Sequence, residues 1–214
     1  MEAPLAAAIG AGLDITKPDG HMVIDIGGGT TDIAVLSISG VVESESLKAG
    51  GEAFDYELIK YIKRKHNVLI GENTAEELKK SIGCVFPRPE TVAVEVKGRC
   101  LLTGLPRVVA ISSTDVLEAF EEVTERIVEA VHNVLEATPP ELVADISQNG
   151  IVLTGGNCQL WGFDKLISSR TSIATYTADD ADLCVSNGLG KALNWVGDMS
   201  EGTINIARKK QMRV

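Results

Sequence analysis

The spacing of apolar positions along this chain switches repeatedly between every second residue and every third or fourth, and the switches predict its elements. Residues 22–26 (Met-Val-Ile-Asp-Ile) and 31–36 (Thr-Asp-Ile-Ala-Val-Leu) are β-branched, apolar runs on either side of Gly27-Gly28-Gly29-Thr30. That reads as strand, tight turn, strand. A third strand is expected over 41–47, after the Ser39-Gly40 turn. Gly50-Gly51 then opens a helix of about sixteen residues, with Phe54, Leu58, Ile59 and Ile62 on its apolar face and Lys60, Lys63, Arg64 and Lys65 toward solvent. A second helix is expected over 74–82, capped by Thr74 with Glu77 completing a capping box.

Residues 91–111 alternate as a hairpin around a turn at 103–107, placing Val92, Val94, Val96, Val108, Val109 and Ile111 in strands. The longest helix is expected over 113–137. Val116, Phe120, Val123, Ile127, Val131 and Val134 form its stripe, and Thr138-Pro139-Pro140 stops it. A short helix (140–146), a buried strand (151–154) ending in Gly155-Gly156-Asn157, a helix after Trp161, an edge strand (173–177) and a final helix (182–196) complete the pattern. At the front, residues 2–13 read as a short helix with Pro4 in its first turn and Gly10 and Gly12 at its end. The stretch after Gly197 is weakly patterned and expected to fray. Strands alternating with helices make the chain α/β.

Composition narrows the chemistry. The 214 residues suffice for one large or two small domains with a real core, and 44% hydrophobic with 23% charged residues is ordinary for a globular protein. A net charge of -10 argues against a nucleic-acid partner, and 4% aromatics leaves few platforms for stacking bases. Cys84, Cys100, Cys158 and Cys184 form no C-x-x-C pair, so reduced thiols in a cytoplasmic protein are expected rather than zinc or disulfides. No apolar run is long enough to span a membrane.

The glycine turn carries the chemistry. Consecutive glycines tolerate positive φ and let several N–H groups point into one concavity that suits a phosphate. Asp25, ending the first strand, is placed to hold Mg²⁺ through water, and the Thr30 and Thr31 hydroxyls can bond a phosphate oxygen or orient a water. The turn fits neither G-x-x-x-x-G-K-[ST] nor G-x-G-x-x-G, so P-loop and Rossmann readings lose their context. A glycine-rich hairpin turn without a ligand is the competing reading.

Five strings taken together resemble the C-terminal half of a bacterial actin of the MreB type. They are Pro-Leu-Ala-Ala-Ala-Ile-Gly-Ala-Gly (4–12), Ile-Asp-Ile-Gly-Gly-Gly-Thr-Thr-Asp (24–32), Thr-Ala-Glu-Glu-Leu-Lys-Lys-Ser-Ile-Gly (74–83), Thr-Pro-Pro-Glu-Leu-Val-Ala-Asp-Ile (138–146) and Gly-Ile-Val-Leu-Thr-Gly-Gly (150–156). The resemblance implies a ribonuclease H-like actin-type lobe, a mixed sheet flanked by helices, with a small inserted α+β subdomain. Residues 18–53 plus 118–186 would form the nucleotide-binding subdomain and 54–117 the insertion. Residues 1–17 and 187–208 would face a first lobe, leaving 209–214 as a tail.

It also implies an ATP/ADP and Mg²⁺ site. Asp25 would face the metal; Gly27, Gly28, Gly29, Thr30 and Thr31 would cradle the β- and γ-phosphates, with Thr30 positioning the attacking water. Glu76 and Lys79 would line the adenosine, and Gly155, Gly156 and Asn157 would pass beneath ribose and adenine. Taken alone, Glu76 and Lys79 read better as an exposed helix salt bridge. Family members of this kind stack into filaments that maintain rod cell shape, touch the membrane through the first lobe and work with other cell-shape proteins. Three departures stand out: Ala3 occupies the position of a presumed catalytic glutamate, Asn157 and Ser81 replace a usual glycine and acid, and the first lobe with its own glycine hairpin lies outside these residues. Slow or absent ATP hydrolysis is therefore expected, and an unpaired apolar patch near Leu5, Ile9, Leu189 and Leu193. A chaperone-like or sugar-kinase-like ATPase lobe, or a non-catalytic truncated interaction module, are the alternatives.

Overall fold

A computed structural model of the chain describes residues 1–195; the expectations for the tail, and for the last residues of the 187–208 segment, fall outside the described residues. Strands β1 (His21–Ile26), β2 (Thr31–Ser37) and β3 (Gly40–Leu47) form an antiparallel meander, and β7 (Ile151–Thr154) and β8 (Thr175–Thr177) extend it in parallel. The order is β3-β2-β1-β7-β8. A second, three-stranded antiparallel sheet contains β4 (Val68–Leu69), β5 (Ala93–Cys100) and β6 (Pro106–Ser112). Helices are α1 (Ala3–Gly10), α2 (Gly51–His66), α3 (Glu72–Ile82), α4 (Ser113–Ala137), α5 (Pro140–Asn149), α6 (Phe163–Thr171) and α7 (Cys184–Trp195).

The central strands β2, β1 and β7 are buried on both faces, as their continuous apolar runs require, while the edge strands β3 and β8 are partly exposed. Met22, Ile24 and Ile26 of β1, Ile33 and Val35 of β2, and Ile151 and Leu153 of β7 face the larger core. There Phe54 of α2 meets Phe120 of α4 edge-on at 4.8 Å and Phe163 of α6 at 6.1 Å, joining three helices at one point. The alternate positions Val23, Ala34, Leu36 and Val152 face Ala7, Ala8 and Ile9 of α1. Period-two alternation therefore puts Asp25 and Thr154 on the α1 side, at the carboxyl ends of two adjacent parallel strands. Ligands of open α/β sheets bind beyond those ends.

Several expectations change. The capping box is not at Thr74: α3 starts at Glu72, because the Gly71 carbonyl already accepts the Ala75 N–H, and Thr74 lies inside the first turn. The box that exists joins Ser112 and Asp115 at the start of α4. Val92 precedes β5, and Val92 and Val108 are exposed, because only one face of the small sheet is covered. Helix α5 continues to Asn149, and β4 went unseen because two residues carry no periodic signal. Ile9 is buried between α1 and the sheet rather than in an open patch, whereas Leu189 and Leu193 are exposed. Among the described residues no helix is long and apolar enough to cross a membrane.

Candidate functional site

The Ile26–Thr31 hairpin is closed by one internal bond, from the Gly27 N–H to the Thr30 carbonyl at 2.9 Å. Glycine is needed here for space rather than for backbone freedom: none of Gly27, Gly28 and Gly29 has positive φ. A Cβ on Gly28 or Gly29 would meet no protein atom within 4 Å. The tolerance of glycine for positive φ is thus not used at these three positions. What their missing side chains leave is an open concavity, the form a bound phosphate requires.

Neighbouring elements hold the hairpin in shape. The Gly27 carbonyl accepts the Gly51 N–H at 3.0 Å and the Asn157 Nδ2 at 2.9 Å; the Gly28 carbonyl accepts the Glu52 N–H at 2.9 Å. Those N–H groups belong to the first turn of α2, whose N-cap, Gly50, supplies no side chain. The hairpin carbonyls therefore satisfy donors that a capping side chain would otherwise serve. Gly50 cannot be larger, because a Cβ there would sit 2.6 Å from the Gly28 oxygen.

Asp25 is buried, 8% exposed, and its carboxylate accepts the Thr154 hydroxyl at 2.7 Å. Burial pushes its pKa up; the Thr154 bond pulls it down, and Asp32 opposite it on β2 pushes it up again. A carboxylate desolvated beside another is a group that gains from a cation. Thr30 is exposed and donates its hydroxyl to Asp32 at 3.1 Å, which leaves its oxygen lone pairs able to accept from water. Thr31 does not face the concavity: it is fully buried and donates its hydroxyl to the Ala49 carbonyl at 2.5 Å. Strand alternation turns it inward, so it anchors the hairpin instead of binding phosphate.

A cleft of about 1170 Å³ opens beside the hairpin. Gly28, Glu76 and Lys79 of α3, and Gly156 and Asn157 of the bend after β7 all line it, bringing together three segments far apart in sequence. Their roles differ from the sequence picture. Glu76 is exposed and paired with Lys80 at 2.7 Å; that contact holds its carboxyl below the usual range. Lys79 is 6% exposed and turns away from Glu76, donating to Asp55 at 2.7 Å and to the Gly51 carbonyl at 3.0 Å. Gly155 does need its backbone freedom, with φ +85° and Ile26 packed against its Cα, while Gly156 faces open space. Asn157, expected beneath the base, is a strut to Gly27.

The sequence reading missed the start of α2, with Gly51, Glu52 and Asp55, although the Gly50-Gly51 pair signalled a close approach. It also missed the far wall, where Arg88 lies over the Trp161 ring at 5.3 Å; an isolated Trp in a chain poor in aromatics was the available signal.

The family profile described as MreB/Mbl protein matches residues 1–201. The chain is 47% identical over 204 residues to the cell shape-determining protein MreB of Escherichia coli (strain K12), covering 95% of this chain and 58% of that one. MreB5 of Spiroplasma citri, in a crystal structure bound to ADP, superposes with a TM-score of 0.89 at 36% identity, covering 94% of this chain and 62% of that one. The MamK filament superposes with a TM-score of 0.67 at 25% identity, over 88% of this chain and 56% of that one. The chain therefore spans 58% of the length of the curated relative it matches, and the fold is actin-like, a mixed sheet flanked by helices.

Proposed function

The chain belongs to the MreB/Mbl protein family, and from that premise we propose that it is the nucleotide-binding second lobe of an actin-like cytoskeletal protein that self-associates into filaments and maintains rod cell shape in the cytoplasm. The observation that carries this reading is the convergence of Gly28, Glu76 with Lys79, and Gly156 with Asn157 on one cleft. Family membership sets aside the chaperone-like and sugar-kinase-like alternatives. In this reading the three-stranded sheet with α2 and α3 is the inserted subdomain, and a first lobe or other cell-shape proteins are the partners besides further copies of the protein.

The ligand is ATP or ADP with Mg²⁺. The residues fit the group: Gly28 and Gly29 leave room for phosphate oxygens and the turn's backbone N–H groups supply donors. Asp25 would hold the metal through water, where Mg²⁺ neutralises polyphosphate charge. Gly156 lets a ribose or base lie close to the backbone. Thr30, fixed as a donor to Asp32, presents its oxygen to a water and orients it. No general base stands at Ala3, so hydrolysis by these residues is slow or absent.

A thermal-shift titration tests the reading, because a ligand that binds only the folded state raises stability by RT ln(1 + [L]/Kd). Mg-ATP and Mg-ADP are expected to raise Tm, with a smaller effect when EDTA removes the metal. No shift at millimolar nucleotide overturns the proposal.

A further inference from the structure

The notion that Lys79 lines the adenosine does not match where its side chain goes. Its ammonium is buried, with two of its three donors committed to Asp55 at 2.7 Å and to the Gly51 carbonyl at 3.0 Å. Gly51 opens α2 and Asp55 lies one turn further along it. The first turn in its turn grips the glycine hairpin, through the Gly51 N–H on the Gly27 carbonyl and the Glu52 N–H on the Gly28 carbonyl. We propose that Lys79 is a positioning residue for the phosphate-binding hairpin, acting through Gly51 and the first turn of α2 rather than by touching the nucleoside. The inference rests on the nucleotide reading above.

Two physical arguments support it. A cation at a helix N-terminus opposes the helix dipole, so packing stability alone gives no reason to bury an ammonium there. Asp55 compensates its charge, and the pair closes α2 onto α3 at one fixed distance. Second, the hairpin has little rigidity of its own: one internal bond closes it, and a Cβ on Gly28 or Gly29 would meet only open space. Its carbonyl direction, and hence the direction of the neighbouring N–H groups, is set by what the carbonyls accept from outside. Asn157 contributes one such bond and α2 contributes two. Asp55 Oδ1, buried and unpartnered, shows that the clasp is kept despite an unsatisfied acceptor.

The test compares ligands on the full chain by calorimetry: Mg-tripolyphosphate and Mg-ATP, which use the hairpin, against AMP, which reaches the nucleoside end. In Lys79→Met the expected result is at least a tenfold weaker affinity for Mg-tripolyphosphate and Mg-ATP, with AMP unchanged within twofold. Lys79→Arg, which can still donate to both partners, recovers part of the loss. Amide hydrogen exchange at Gly51 and Glu52 is expected to accelerate in Lys79→Met. Weakening of AMP and Mg-ATP with Mg-tripolyphosphate unchanged means that Lys79 contacts the nucleoside and overturns the inference; equal weakening of all three, which marks a general loss of the cleft, overturns it too, as does no weakening at all. If Lys79→Met does not fold, Asp55→Asn keeps the bond to Gly51 and carries the same comparison, with an intermediate loss on the tripolyphosphate ligands alone. A wild-type chain that binds none of the three overturns the nucleotide reading itself; wild-type binding with uniform loss overturns only the role of Lys79.

Discussion

Substituting Gly28 by alanine separates room kept for a ligand from room needed by the protein. The added Cβ would meet nothing within 4 Å, and Gly28 does not have positive φ. In the ligand-free chain the change should therefore be neutral or stabilising by about 0.4–1 kcal/mol, through the unfolded state. With nucleotide the methyl occupies the concavity. Losing one charge-assisted hydrogen bond to phosphate costs about 1.5–3 kcal/mol, which is about a 10- to 150-fold weaker Kd. At a ligand concentration of 100 times the wild-type Kd, wild type gains about 2.7 kcal/mol, while the variant, now at about 0.7 to 10 times its own Kd, gains about 0.3–1.4 kcal/mol. A domain of this size shifts by about 2–4 °C per kcal/mol, so differential scanning fluorimetry should show a nucleotide shift of half or less. An undiminished shift would refute a phosphate at Gly28. A ligand-free Tm lowered by several degrees would refute the open concavity. Gly155→Ala is the contrasting control, since φ +85° and the Ile26 backbone should make it destabilising without any ligand.

Further outcomes follow from the same geometry. Asp25→Asn keeps an acceptor for Thr154 but removes a charge that burial and Asp32 both disfavour. Its raised pKa means the ionised form weakens the fold above that pKa and the cost is relieved as pH falls. The variant should thus melt higher than wild type at pH 7 while losing the Mg²⁺-dependent part of the nucleotide shift; a lower ligand-free Tm would contradict this. Thr31→Val keeps shape and β-propensity but leaves the Ala49 carbonyl unpaired, and should cost about 1–3 kcal/mol in urea unfolding. An unchanged midpoint would return Thr31 to the list of ligand contacts. Burial raises Asp115, but Lys65 and Ser112 outweigh it and hold its pKa at about 2. Its stabilisation is present above the unfolded carboxylate range and lost as pH falls through about 2. Asp115→Asn should flatten the stability curve between about pH 4 and pH 2. A curve that stays parallel to wild type would show the Lys65–Asp115 ion pair, 2.6 Å long between α2 and α4, to be inert.

Local pattern alone determined most of the elements and the position of the glycine hairpin, though not β4 or the start of α3. Alternation over 22–36 and the six-residue stripe from Val116 to Val134 repeat at fixed spacing, and each repeat is an independent vote for the same geometry. The family resemblance pointed to the three segments that meet at the cleft. What each side chain does there was decided only by tertiary contacts. Thr30 and Thr31 are neighbours in sequence, yet strand alternation leaves one in solvent and buries the other against Ala49. Glu76 and Lys79 share a helix face by spacing, yet the approach of α2 draws Lys79 to Asp55 and Gly51. Three adjacent glycines suggested backbone freedom, but space was what they supplied, because the first turn of α2 and Asn157 had already fixed the carbonyls. A partner brought from 24, 28 or 130 positions away leaves no periodic trace in a sequence, so only the folded chain could assign it.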